Sequence, residues 1–457
     1  MPRSEPAAAP HADEHLHRAI GPWSLGANAV NLSVGAGIFA LPAVVAAILG
    51  PAAILAYLVC GLAIALVLTC FAEIGSQVTR SGGAVAYIED AFGPMAGFVA
   101  WVIFTLGFCV AADAAVANIL LDTASSVVPA MGHPVVRASS FIVIYGGLAA
   151  ANILGVRLGA RLAVMATIGK LLPLLLIIGA GAVAIRWQNL QWAAWPSIGQ
   201  VGEASLVLFF AFSGAECAVS PGGEIRDPSR TIPRGLLGGT AFLILLYVSV
   251  QVVSQGVLGP GISQHGPAPL ASVAERLFGT AGRGLVIACT VLATLGVLIG
   301  DLLATPRSFL PVAEDGMLRA SLGAVHPKYR TPHVAIATYA AASCLLSISG
   351  GFRPLAVIAS VSLLLVYLAV CLAALKLRVT RDLPPGAFRA PGGPIVPVLG
   401  ALTVLGLLAQ TTRTEMFGIG IALAAAAMYY VVRRRVNPAA SGADYRAAEE
   451  SDPGSPP

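Results

Sequence analysis

Residues 28–42 read NAVNLSVGAGIFALP, from Asn28 to Pro42, inside an apolar run long enough to cross a bilayer. Ser33, Gly35 and Gly37 fall within five residues at its centre. Glycine is a poor helix former, and a cluster of it releases backbone N–H and C=O groups. In hydrocarbon each freed group costs several kcal/mol, so unwound backbone survives only where it lines a cavity. The stretch therefore predicts a discontinuous helix whose half-helix N-terminus faces an anionic ligand group. Close helix packing through small residues is the alternative reading of the same letters.

Composition sets the frame for that reading. Of 457 residues, 57% are hydrophobic and 11% charged, with a mean hydropathy of +0.83. Soluble domains carry about 25% charged residues, so the chain is an all-α polytopic membrane protein embedded in the lipid bilayer. Seven cysteines lie singly in apolar segments, without a CxxC. That pattern argues against a metal site or a disulfide framework, and no cofactor or nucleic-acid partner is expected. All seven histidines lie in tails or loops, which excludes an intramembrane histidine relay. The cluster His11, Asp13, Glu14, His15 and His17 looks metal-like but sits in a Pro/Ala-rich tail. A membrane enzyme would need clustered His/Cys or a nucleophile with its base, and neither is present.

Twelve spans are predicted, near 24–47, 51–75, 92–121, 138–155, 162–185, 201–222, 235–258, 284–308, 333–350, 354–378, 394–411 and 416–433. Residues 1–20 read as a retained polar tail and 436–457 as a disordered one. With both termini cytoplasmic, the tails and inner loops hold 20 of the 27 Lys/Arg. The outer loops hold six, Arg137, Arg186, Arg276, Arg283, Arg353 and Arg413, and Lys170 lies within a span. This asymmetry predicts both ends inside, in a plasma (inner) membrane.

Span six reads LVLFFAFSGAECAVSPGG, a second apolar run broken by Ser-Gly near its centre. Interruptions five spans apart point to an inverted repeat with a midplane binding site. The domain reading is 21–435 as transporter, with repeats 24–185 and 201–378 and two accessory helices over 394–433.

Four segments in order carry a family resemblance: GAGIFALP in span one, FAEIGSQVTRSGGAVAYIEDAFGP after span two, EIRDPSRTIPRGL after span six, and LLATPRSFLPVAEDGMLRASLGAVHPKYRTPHVAI after span eight. Over residues 24–430 the chain resembles the amino acid–polyamine–organocation permeases, closest in pattern to their basic amino acid/polyamine antiporter branch. The resemblance implies a five-plus-five inverted repeat, alternating access and a small amino-acid or amine substrate. It implies that backbone amides at Ser33, Gly35, Ala36 and Gly37 hold a carboxylate. It further implies that carbonyls around Phe212, Ser213 and Ala215 hold an amino group, with Phe210 as an aromatic gate. Elementary chemistry agrees in kind, since a helix N-terminus suits an anion and orphan carbonyls suit an ammonium.

Five ionisable residues fall within or beside apolar spans: Glu73, Asp113, Lys170, Glu216 and Asp301. Each costs about 2.5–3.5 kcal/mol at a helix centre by insertion scales, so burial needs a reason. Glu73 reads as a capped, solvated helix end. Lys170 either snorkels or, as the resemblance implies, substitutes for the sodium ion of related symporters by bridging spans one, five and eight and carrying a proton. Glu216 follows the span-six break, eleven residues before Asp227-Pro228, where relatives handling basic substrates carry glutamate. Asp301 stands where those relatives commonly carry tryptophan, and Asp113 lies mid-span three, facing either the cavity or a neighbouring helix. The favoured reading is a transporter of cationic amino acids or polyamines, with protons as a coupling partner and Glu216 as a release switch. A proton-coupled permease for small neutral amino acids is the alternative, and a non-transporting sensor on the same fold is the remoter one. The outer loop 122–137 lacks cysteine, so no disulfide-linked heavy chain is expected.

Overall fold

A computed structural model describes residues 18–78, 80–154, 160–192, 194–265, 268–381 and 386–436, with the backbone alone over 160–169. The metal-like cluster at His11–His17 and the tail beyond 436 lie outside the described residues. Among the described residues there is no β-strand, only a single bridge between Ile20 and Ile225. That is the arrangement lipid demands, because each helix satisfies its own backbone groups.

Span one is two helices, Pro22–Ser33 and Gly37–Leu49. Span two is Ile54–Gly75, span three runs from Pro94 to Ser125, span four is Pro134–Ile153 and span five Ala160–Ala182. Span six starts as the helix Ile198–Phe212, fixed by a capping box between Ser197 and Gln200. Span seven is Pro228–Leu258, and span eight is the longer part of Pro269–Ala304 beyond a kink at Gly279. Spans nine to twelve are His333–Ser349, Phe352–Thr380, Ile395–Leu408 and Arg413–Val436.

Packing follows the repeat logic. Span two lies against seven, three against eight and four against nine, while the two halves of span one pack against opposite halves of span six. Each of these pairs joins elements five spans apart, an arrangement that fits a twofold relation between inverted halves. Spans six and ten are the most buried, and span twelve is mostly exposed at the edge. Spans one and seven approach through glycines. A Cβ on Gly26 would stand 2.9 Å from the Gly235 carbonyl oxygen, and one on Gly239 2.9 Å from that of Gly26. Small residues at this seam do pack helices, but they lie outside the span-one break.

Several local features depart from the sequence reading. The second half of span six is wound as tight 3₁₀ turns over Ala215–Val219, not as an α-helix. Span three contains a π-helical segment, Ile103–Cys109, ahead of Asp113. A short helix, Gly83–Phe92, fills the connection between spans two and three. Glu73 is not solvated: it is 1% exposed and pairs both carboxylate oxygens with Arg378 of span ten. Its Oε2 also accepts the Ala390 N–H at 3.0 Å, and Ser76 Oγ exchanges hydrogen bonds with the Phe388 backbone. The polar loop after span ten folds back over the acid and seals it.

Candidate functional site

The first break is built from the end of one helix and the start of the next. Ser33 closes the first helix, and Val34 turns out of it at φ −72°, ψ 81°. The Gly35 N–H donates to the Ser33 carbonyl at 2.7 Å, and Phe39 N–H to Ala36 O at 3.1 Å. Gly35 is therefore not one of the free amides; its donor is spent inside the turn. The N–H groups that start the second helix, around Ala36, Gly37 and Ile38, have no acceptor within that helix and form the anion-suited end. Ser33 offers its hydroxyl rather than an amide: Oγ is buried and without a partner.

The second break faces the first. The helix of span six ends at Phe212, Ser213 is extended, and Gly214 adopts φ 111°. Only glycine suits that position, because a Cβ there would lie 2.6 Å from the Leu32 carbonyl oxygen and 3.1 Å from Ser33 N. The two breaks thus touch backbone to backbone. The Phe210 carbonyl is occupied by Ser213 Oγ at 2.7 Å and the Gly214 carbonyl by Cys217 N–H at 3.0 Å. The remaining carbonyls at the helix end, including that of Phe212, point out of the last turn. Ala215 is 1% exposed at the start of the 3₁₀ turns. Phe210 is 6% exposed, packs its ring at 5.8 Å against Phe352 of span ten, and stands over Gly37.

Charged groups gather around these ends. Glu216 is buried, and its Oε2 accepts the Gly214 N–H at 2.8 Å and the Tyr367 hydroxyl at 2.6 Å, while Oε1 has no partner. Asp113 is 0% exposed; Oδ2 accepts the Tyr339 hydroxyl at 2.9 Å, and its carboxyl group lies against that of Asp301. Asp301 and Asp113 lie within electrostatic reach of one another, and Asp301 also of Lys170. The Lys170 ammonium donates to the Asn31 carbonyl in the last turn of the first helix, at 3.4 Å. It is 6% exposed and does not snorkel. Lys170 of span five thus touches span one at Asn31, with Asp301 of span eight near enough to act on it electrostatically.

Three hydroxyls in this site have no counterpart in the sequence reading. Tyr247 of span seven donates to Ser33 O at 2.8 Å, Tyr339 to Asp113, and Tyr367 to Glu216. Each carries a polar tip into apolar surroundings and finds an acceptor there. The sequence feature that could have found them is a tyrosine inside an apolar span, which needs a hydrogen-bond partner. Among the described residues, no group of three or more His, Cys, Asp or Glu is placed to hold a metal ion.

Apolar spans arranged around two facing helix breaks, with charge gathered at the breaks, define a multi-pass membrane permease. A family model described as amino acid permease matches residues 20–432, and the chain belongs to that family of transporters; it is not an enzyme. It is similar to the serine/threonine exchanger SteT of Bacillus subtilis, 26% identical over 93% of this chain and 98% of the relative. The branched-chain amino acid permease BcaP of the same organism is 25% identical over 88% and 90%. The chloroplastic cationic amino acid transporter 9 of Arabidopsis thaliana is 28% identical over 71% of this chain and 60% of that protein.

Proposed function

We propose that this permease carries amino acids or related amines by alternating access, with a cationic amino acid or a polyamine favoured and protons coupled to the cycle. The observation that carries the reading is the charge balance at the breaks. Three acids, Asp113, Glu216 and Asp301, stand against one ammonium, Lys170, and Glu216 Oε1 is buried without a partner. A buried charge needs a counter-charge, and a distal ammonium or guanidinium supplies it. The α-carboxylate lies at the N–H groups of Ala36, Gly37 and Ile38, beside the Ser33 hydroxyl. The α-ammonium lies at the carbonyls ending the span-six helix. The distal cation reaches Asp301 or Asp113.

Lys170 is the coupling residue, holding Asn31 and Asp301 together in one protonation state and releasing them in the other. Glu216 is the release switch. Its carboxylate binds the N–H of Gly214, so protonating it loosens the second break. The chain ends face the cytoplasm, and the plasma membrane is the site of action, on the strength of the 20-to-6 basic asymmetry. Residues 24–185 and 201–378 are the two repeats, and 394–433 are accessory helices.

A second reading has its own support: Tyr339 and Tyr367 already bond Asp113 and Glu216, and two relatives are named for neutral amino acids. There the acids brace helices and the substrate is neutral. The deciding experiment is competition in proteoliposomes, with arginine, lysine, ornithine and putrescine against alanine, serine and leucine, in wild type and Asp301→Asn. Cations competing in wild type and weakening in the variant support the cationic reading. Competition by the neutral set alone rejects it and leaves the permease in place.

A further inference from the structure

Away from the chain ends, two helical turns beyond the breaks, lies a cleft of about 530 Å³ lined by Ala43, Val44, Gln200, Glu203, Ser263 and Arg353. Its volume is within the range of about 300–1,000 Å³ typical of small-molecule sites. Its walls come from the second half of span one, the helix of span six, the connection after span seven and the first turn of span ten. Glu203 and Phe210 are seven residues apart, on one face of the span-six helix. Arg353 follows Phe352, whose ring meets Phe210. The cleft therefore sits directly above the aromatic pair that closes the breaks.

Its polar groups have a particular arrangement. Glu203 and Arg353 form an ion pair in which each side chain is 52% exposed. Pairs this open contribute little to stability, so either partner is readily exchanged for an equivalent charge. A zwitterion brings both: its ammonium replaces the guanidinium at Glu203, and its carboxylate replaces the carboxylate at Arg353. The guanidinium fork takes a carboxylate in bidentate fashion. Gln200 spends its amide oxygen on the capping box with Ser197, which leaves its NH₂ to donate toward the same carboxylate. Ser263 adds a hydroxyl, while Ala43 and Val44 supply an apolar wall for a side chain.

We infer that this cleft is a second binding site, taking the α-ammonium and α-carboxylate of one amino acid at Glu203 and Arg353 before it passes Phe210. The site reads the zwitterion and not the side chain. It is distinct from the breaks, and it stands whether the transported side chain is cationic or neutral.

The test is saturation binding to the full-length protein in lipid nanodiscs. The probe is whichever of tritiated arginine, lysine, serine, alanine or leucine the wild type accumulates in proteoliposomes. The expected result is two molar equivalents for wild type and one for Glu203→Gln/Arg353→Gln, the variant raising KM at least fivefold while kcat stays within twofold. One equivalent in wild type, or two in the variant, overturns the inference. No binding at all in a variant of normal melting temperature also overturns it, because the pair would then serve only to shape the central site. Arg353→Gln alone should weaken the amino acid but leave competition by its decarboxylated amine unchanged. Equal weakening of both would assign the pair a structural role instead.

Discussion

Gly214→Ala tests whether the contact between the two breaks is what the central site depends on. Gly214 sits at φ 111°, where an L side chain is strained by about 1–3 kcal/mol. The added Cβ would also stand 2.6 Å from the Leu32 carbonyl oxygen and 2.8 Å from its carbon. These are backbone atoms and cannot rotate away. Reaching the 3.4 Å of ordinary contact requires the breaks to part by about 0.8 Å. The strain alone lowers the population of the native break about 5- to 140-fold. Parting the breaks also separates the amides at Ala36–Ile38 from the carbonyls opposite. Uptake in proteoliposomes should fall at least tenfold, while the surrounding helices keep the protein monodisperse in detergent. Gly238→Ala, on span seven with open space around its Cβ position, is the control and should transport normally. Wild-type uptake by Gly214→Ala would refute the reasoning.

Other expectations follow from single contacts. Glu73→Gln leaves Arg378 buried without its partner, which costs about 3–5 kcal/mol and should appear as a clear fall in detergent melting temperature. Glu275→Gln, in the half-exposed pair with Arg283, should cost no more than about 1 kcal/mol by the same assay. Lys170→Ala should fold but lose uptake, or lose the dependence of uptake on pH; an unchanged pH profile would remove Lys170 from coupling. Phe210→Ala should weaken transport sharply and Phe210→Trp keep part of it, because an aromatic face opposite Phe352 is what closes the site. Equal, full activity in both would remove the gate.

The backbone of the account was readable in the letters. Glycine clusters inside apolar runs advertise breaks, since lipid penalises unwound backbone everywhere except in a cavity. Isolated charges in such runs stand out for the same reason, and Asp113, Lys170, Glu216 and Asp301 do cluster near the breaks. What remained hidden depends on partners distant in sequence. Glu73 looked like a solvated helix end because its sealing groups, Arg378 and Ala390, lie more than three hundred residues away. Tyr247, Tyr339 and Tyr367 pass as apolar bulk until a specific acceptor appears across the helix interface. Which amides of the first break stay free was also hidden, because a spacing cannot say that the tight turn spends the Gly35 N–H on Ser33 O. The π segment of span three and the 3₁₀ turns after Gly214 are likewise settled by packing and not by local preference.

The central claim is that the two breaks together read the α-groups of an amino acid. The direct measurement takes the amino acid that wild type accumulates best and competes its uptake with two analogues, one lacking only the α-carboxylate and one lacking only the α-amine. Each deletion removes a charge-assisted hydrogen-bonding group worth about 1.5–3 kcal/mol, so each analogue should compete about 10- to 150-fold more weakly. An analogue without its carboxylate that competes as well as the parent would contradict the claim, because the helix start at Ala36–Ile38 would then have no part in recognition.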